Sequence, residues 1–217
     1  METEKNFEPQ IYELISDLDN VEKIRNHIAF IIKGETHNQY IIAQEQGEPD
    51  AEDYNFRVFI ENARPYDTEG EPPIEPLINI MLQKTETADG NSRMGPQKYK
   101  AAFIIDCIAF GNDAGEDRDD CAAASRAWKA ARVIRRILMS EQYLYLGLRG
   151  VIGGRLIKSI ETGVPKNGGD ALTVVTARIT LEVQFIERSI GTAGPLIEAI
   201  NFTVEPVDGE VINTSQD

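Results

Sequence analysis

From Leu172 to Glu187 the chain alternates apolar and polar side chains. Val175, Ala177, Ile179, Leu181, Val183 and Phe185 fall in one set; Thr176, Arg178, Thr180, Glu182 and Gln184 fall in the other. Successive side chains of a strand point to opposite faces of a sheet, so a period of two over this length reads as a long β-strand with one face in a core. A helix would spread the same residues around its circumference. Slipping the strand by one residue would turn the whole apolar set outward, which ties its register to the fold. The polar face is left for water or for a partner.

A second run has a different pattern. Tyr99–Gly111 (YKAAFIIDCIAFG) is apolar at both parities, as expected of a central strand covered on both sides. Before it, Leu77–Gln83 places Ile78, Ile80 and Leu82 on one face and Leu77, Asn79 and Met81 on the other. The two runs form a hairpin whose connection, Lys84–Lys98, is polar and contains Gly90, Gly95 and Pro96. A connection that long without structure of its own is uncommon in a compact domain, so it is expected to be an arm that is either functional or mobile until it meets a partner. Asn55–Asn62 (NFRVFIEN) reads as a further strand and Arg155–Glu161 as a short one. Arg64–Pro76 holds four of the ten prolines and is expected to be a surface connection.

Helical spacing marks the rest. Ile11, Leu14, Ile15 and Leu18 make one stripe, and after a break near Asp19–Asn20 the stripe resumes with Ile24, Ile28, Ile31, Ile32 and Ile41, weakened by Gly34 and ended by Gly47 and Pro49. A second helix is predicted from about Arg118 to Glu141, with an acidic start suited to the positive end of its dipole and a seam of Ala124, Trp128, Ala131, Ile134 and Leu138. Trp128, the single tryptophan, is expected to anchor the core. The order is helix, helix, strand, hairpin, helix, strands. Runs of strands without strict βαβ alternation imply an α+β fold, a largely antiparallel mixed sheet with helices packed on it. One domain is expected over residues 9–205, between polar tails at 1–8 and 206–217.

Composition narrows function. The chain has 217 residues with 22 Lys plus Arg against 36 Asp plus Glu, a formal charge of −14. An acidic surface does not grip nucleic acid broadly, because neutralising phosphates needs surplus cations. No apolar run reaches the roughly 18 residues that span a bilayer, and the acidic start METEKNFEP is unlike a targeting peptide, so a soluble protein made in a cytosol, with no membrane partner, is expected. Cys107 and Cys121 form no C-x-x-C pair, which argues for small buried thiols over a zinc site. His27 and His37, ten apart, read as surface or capping residues.

No string marks a catalytic, cofactor-binding or metal site. The acids Asp113, Glu116, Asp117, Asp119 and Asp120 lack the spacing of a calcium loop and read as a solvated helix start. Arg149–Arg155 (RGVIGGR) lacks a phosphate-loop string and reads as a turn or bulge. Charge, however, is segregated. The acids precede the helix, whereas Lys129, Arg132 and Arg136, with Arg149, Arg155 and Lys158 following, form a basic strip. A solvated face, a nucleic-acid contact and a dock for an acidic neighbour all fit such a strip. Absence of interleaved aromatics disfavours single-stranded nucleic acid. If the neighbour is another copy, Asp117, Asp119 and Asp120 would face Lys129, Arg132, Arg136, Arg149 and Arg155 in a head-to-tail contact that can close into a ring.

RVFIENARPYD at Arg57–Asp67, KAAFIIDCIAFGND at Lys100–Asp113, AWKAARVIRRILMSEQYLYLGL at Ala127–Leu148 and ARITLEVQFIERS at Ala177–Ser189, in that order after a long N-terminal helix carrying Asn38–Gln39, resemble the tail terminators and related neck proteins of tailed bacteriophages. The resemblance implies an α+β fold and a ring, commonly of six copies, at the head-proximal end of the tail tube. There it would stop tube polymerisation and join the tail to the head connector. It implies a virion location after assembly in the bacterial cytoplasm, no cofactor and no catalysis. Partners would be further copies, the tail-tube protein, head connector and neck proteins, the sheath where there is one, and genomic DNA passing through the channel without specific binding. Asn91, Arg93 and Met94 of the arm, and Arg178 and Glu182 of the last strand, become contacts with the tube or a neighbouring copy. Surplus carboxylates become a channel lining that repels phosphate. Competing readings are a head-completion or connector adaptor, another tube-associated protein, and a metal-dependent nuclease or hydrolase using the Asp113–Asp120 acids.

Overall fold

The computed structural model describes residues 18–63, 75–88, 96–111, 119–163 and 174–187. The chain divides into units of Met1–Glu187 and Arg188–Asp217, and all described residues belong to the first. The expected domain ran on to residue 205; that extension, both tails and the apolar stripe from Ile11 to Ile15 lie outside the described residues.

Helix α1 spans Asn20–Glu45. The predicted break at Asp19–Asn20 is its start. Asp19 accepts a hydrogen bond from the Glu22 amide at 2.8 Å, and the Asp19 amide donates to the Glu22 carboxylate at 3.2 Å. This reciprocal capping box satisfies two amides that a helix end otherwise leaves orphaned. The helix stops where Gly47 adopts φ +70° and the Glu48 amide turns back to the Ala43 carbonyl at 3.0 Å, a left-handed end that glycine tolerates best. Ile24, Ile28, Ile31 and Ile32 are buried. Ile41 is not, being on the exposed side of the last turns.

After a 3-10 turn at Ala51–Tyr54 come strands β1 (Arg57–Ile60), β2 (Leu77–Thr87) and β3 (Gln97–Phe110), helix α2 (Asp119–Leu138), a second 3-10 turn at Glu141–Tyr143, and strands β4 (Ile152–Gly163) and β5 (Val174–Glu187). They form one five-stranded sheet in the order β1-β2-β3-β5-β4. Strand β1 runs parallel to β2, and every other pairing is antiparallel. The fold is therefore α+β, a mixed and largely antiparallel sheet with two helices packed on it.

Strand β3 is central, as its two-faced apolarity requires, and Ala101 through Phe110 are all buried. Both helices lie on one face. There Ile78, Phe103, Ile105, Leu181 and Val183 share a core with Ile28 and Ile32 of α1 and Ala127, Ala131 and Ile134 of α2. Strand β2 is longer than its apolar stretch suggested. It pairs with β3 out to Thr87 opposite Tyr99, across a bulge between Leu82 and Lys84, so Lys84–Thr87 belongs to the sheet. The cross-strand Glu86–Lys100 register supplies the reason, since a polar strand can pair when both its faces are wet.

Trp128 is a correction. It is 42% exposed, and the buried seam of α2 runs through Ala123, Ala127, Ala130, Ala131, Ile134 and Leu138 instead of through Ala124 and Trp128. Four alanines bring the helix backbone close to the sheet, leaving no room for an indole beneath it. Ala131, Ile134 and Leu138 of the predicted seam are buried, whereas Ala124 and Trp128 each lie one residue past a buried alanine. Cys121 is likewise exposed, and only Cys107 is buried. Among the described residues no helix is long and apolar enough to cross a membrane.

Candidate interaction surfaces

The basic strip separates into cations engaged within the chain and cations left over. Lys129 Nζ lies 3.0 Å from Asp53 Oδ2 and 4.5 Å above the Tyr54 ring. Arg126 donates to the Phe110 carbonyl at 3.3 Å, with its Nε 3.9 Å from Asp53 Oδ1. These contacts fasten α2 to the 3-10 turn after α1 and to the end of β3. Arg155, reaching from β4, donates to the carbonyls of Leu138 and, at 2.7 Å, of Ser140. It caps the C-terminal end of α2, where orphan carbonyls and the negative pole of the helix favour a cation. Burial there draws its pKa down from the ordinary arginine value. Arg149 lies 5.8 Å from the Tyr145 ring centre.

Arg132 and Arg136 differ. Both are exposed, one turn apart on α2, and neither makes an ion pair or hydrogen bond among the described residues. They edge an open groove of about 520 Å³ whose other walls are Glu35 and Gln39 of α1, Tyr54, Val133, Ile137, Ser140, Gln142 and Tyr143. The Tyr143 hydroxyl donates to Glu35 across its floor. Partial burial, reinforced by that carboxylate, pushes the Tyr143 hydroxyl up to about 12, so it stays protonated and holds Glu35 in place.

Asp119 and Asp120 sit in the first turn of α2. Asp117 and its neighbours Asp113 and Glu116 lie outside the described residues, as do Asn91, Arg93 and Met94 of the arm. Among the described residues no cluster of three or more His, Cys, Asp or Glu side chains is placed to hold a metal ion.

Arg178 and Glu182 occupy the sheet face opposite the helices. The register sets Asn79 beside Asp106 and Asp106 beside Arg178. Arg178 grips Asp106 with both ends of its fork, Nε to Oδ1 at 2.7 Å and Nη2 to Oδ2 at 2.8 Å. The aspartate side chain is 2% exposed and the arginine 45%. Asn79 exchanges two hydrogen bonds with the backbone of Asn62, at 3.1 and 2.9 Å. A buried polar row thus crosses the middle of this face, with every side-chain atom that is buried in it bonded. At one end lies a small apolar cluster of Leu77, Ile108 and Phe110 with Phe59 and Val174. Toward the other, Lys100 lies 3.8 Å from Glu182, and Lys84 bonds Glu86 at 2.9 Å, holding that carboxylate below the usual range.

Glu61 is a residue that sequence reading passed over. It ends β1 with φ +51°, and its carboxylate accepts the Leu82 amide at 2.8 Å while pairing with Arg25 of α1 at 3.3 Å. A side chain thus fills the edge of β2 just where β1 stops, one device by which sheet edges are kept from pairing with foreign strands. The motif RGVIGGR behaves as a turn and bulge: Gly150 has φ +90°, and the β4–β5 register shifts between Ile152 and Gly154.

No protein-family model and no curated protein matches the sequence. A solved structure with 17% sequence identity aligns over 69% of this chain and 96% of its own length with a TM-score of 0.32. A likeness that weak carries no argument.

Proposed function

We propose that the chain is a structural virion protein that forms a ring at the head-proximal end of a phage tail, terminates tube polymerisation and joins the tail to the head connector. The observation that carries the reading is the polarity of α2: aspartates in its first turn, and on its later turns Arg132 and Arg136, which make no ion pair or hydrogen bond among the described residues of an acidic chain. A surface that is acidic at one end and basic at the other favours head-to-tail contact between copies, and such contacts close into rings when the rotation permits. The sequence resemblance to tail terminators supplies the location and the partners, and the α+β sheet with helices on one face accords with it. In this reading the sheet face bearing Arg178 and Glu182, with the hairpin between β2 and β3, meets the tube or a neighbouring copy, and excess carboxylates keep DNA from binding the channel wall.

Native mass spectrometry of the full chain, alone and mixed with the tail-tube protein, tests the reading. Rings are expected in at least one of the two samples. Monomer in both contradicts it.

A further inference from the structure

The Arg132–Arg136 groove has the chemistry of a socket. We infer that it receives the acidic segment Asp113–Asp120 of a second copy of this chain, an assignment that rests on the ring reading above. Two guanidiniums one helical turn apart present paired donors in fixed forks, the geometry that carboxylates match best. Both are exposed and make no ion pair or hydrogen bond among the described residues, although the chain carries 14 more acids than bases. Lys129 and Arg126, nearby on the same helix, already share Asp53.

Three observations favour a peptide carboxylate over other anions and a second copy over the same one. First, Glu35 lines the groove, held by Tyr143. A fixed negative charge beside the arginines works against a polyphosphate, whereas spaced side-chain carboxylates can avoid it. Second, the amide side chains of Gln39 and Gln142 line the same walls and can serve the backbone N–H and C=O groups that an incoming segment brings. Third, the acids and the arginines share one helix. Asp119 and Arg132 are 13 residues apart on α2, about 20 Å at 1.5 Å per residue, beyond the reach of an arginine side chain. Asp119 and Asp120 therefore cannot fill the socket of their own chain. A neighbour's can, and because plug and socket differ, the contact propagates in one direction around a ring.

The test uses two full-length variants with reversed charge. One carries Arg132→Glu and Arg136→Glu; the other carries Asp117→Arg, Asp119→Arg and Asp120→Arg. Each alone should associate at least about 100-fold more weakly than the unaltered chain, read by analytical ultracentrifugation. Mixed in equal amounts, they should assemble again, since each plug then meets the other's socket. A milder pair, Arg132→Gln with Arg136→Gln, should weaken association in proportion and remove most of its salt dependence. Rings that persist undiminished in the Arg132→Glu/Arg136→Glu variant would overturn the socket and leave the ring reading standing. A mixture that stays dissociated would also overturn it. If the unaltered chain forms no ring either alone or with the tube protein, the ring reading fails and the socket fails with it.

Discussion

The two faces of the sheet are built on different principles. The helix-covered face is an apolar core in which Phe103, Ile105 and Leu181 interlock with alanine-lined α2. The opposite face buries comparable positions of the same strands, yet at its centre stands the row Asn79, Asp106 and Arg178. Apolar packing is non-directional and tolerates many neighbours. A buried aspartate tolerates only one arrangement, since losing its partner leaves a charge out of water. The covered face thus supplies stability. The opposite face fixes a definite pattern of polar groups across the middle of the sheet.

The largest effect is expected on the covered face. Phe103 is fully buried, and Phe103→Ala should cost about 4 kcal/mol in urea denaturation, independent of salt. Arg178→Ala should come next, at about 2 kcal/mol: removing the arginine strands Asp106 in the sheet, while the arginine's own 45% exposure limits what the pair contributes. The double change Asp106→Asn with Arg178→Met should restore much of that loss, since no charge is then left buried. If the double change costs as much as the single one, the row is an ordinary surface pair and the contrast between the faces fails. Trp128→Ala should cost only about 1 kcal/mol, because the indole is 42% exposed.

The smallest effect concerns pH. His27 on α1 packs against the turn at Gly147, its Nδ1 3.1 Å from where a Cβ there would stand. Burial lowers its pKa from 6.5, partly offset by a backbone hydrogen bond at Leu146. A histidine with a lowered folded pKa binds its proton more readily when unfolded. Its contribution is therefore complete above about pH 6.5 and is lost as pH falls through the folded value. Between about pH 7 and about pH 5 the melting temperature of His27→Gln should fall less than that of the unaltered chain. An equal fall would show that the covered face holds no titrating group of consequence.

Much of this architecture was legible from side-chain periodicity. The alternation in β5, the double apolarity of β3 and the isoleucine stripe of α1 each express one dominant force, and burial follows them. The break read at Asp19–Asn20 falls where the Asp19–Glu22 capping box begins α1. Legibility failed where a neighbour far along the chain decided the outcome. Trp128 lost its place in the core because α2 lies close to the sheet on alanines. Arg155 was counted with the basic strip, yet a strand 17 positions beyond Leu138 carries it back to cap α2. Lys129 was drawn off by Asp53, 76 positions away. Glu61 gave no signal at all, for its role depends on β1 stopping beside Leu82. Arg132 and Arg136, by contrast, make no ion pair or hydrogen bond among the described residues.

The central claim, a ring that ends a phage tail, is tested most directly by electron microscopy of particles assembled without this chain. Tails of abnormal length, or tails unjoined to otherwise complete heads, are the predicted outcome. Tails of normal length attached to full heads would contradict it.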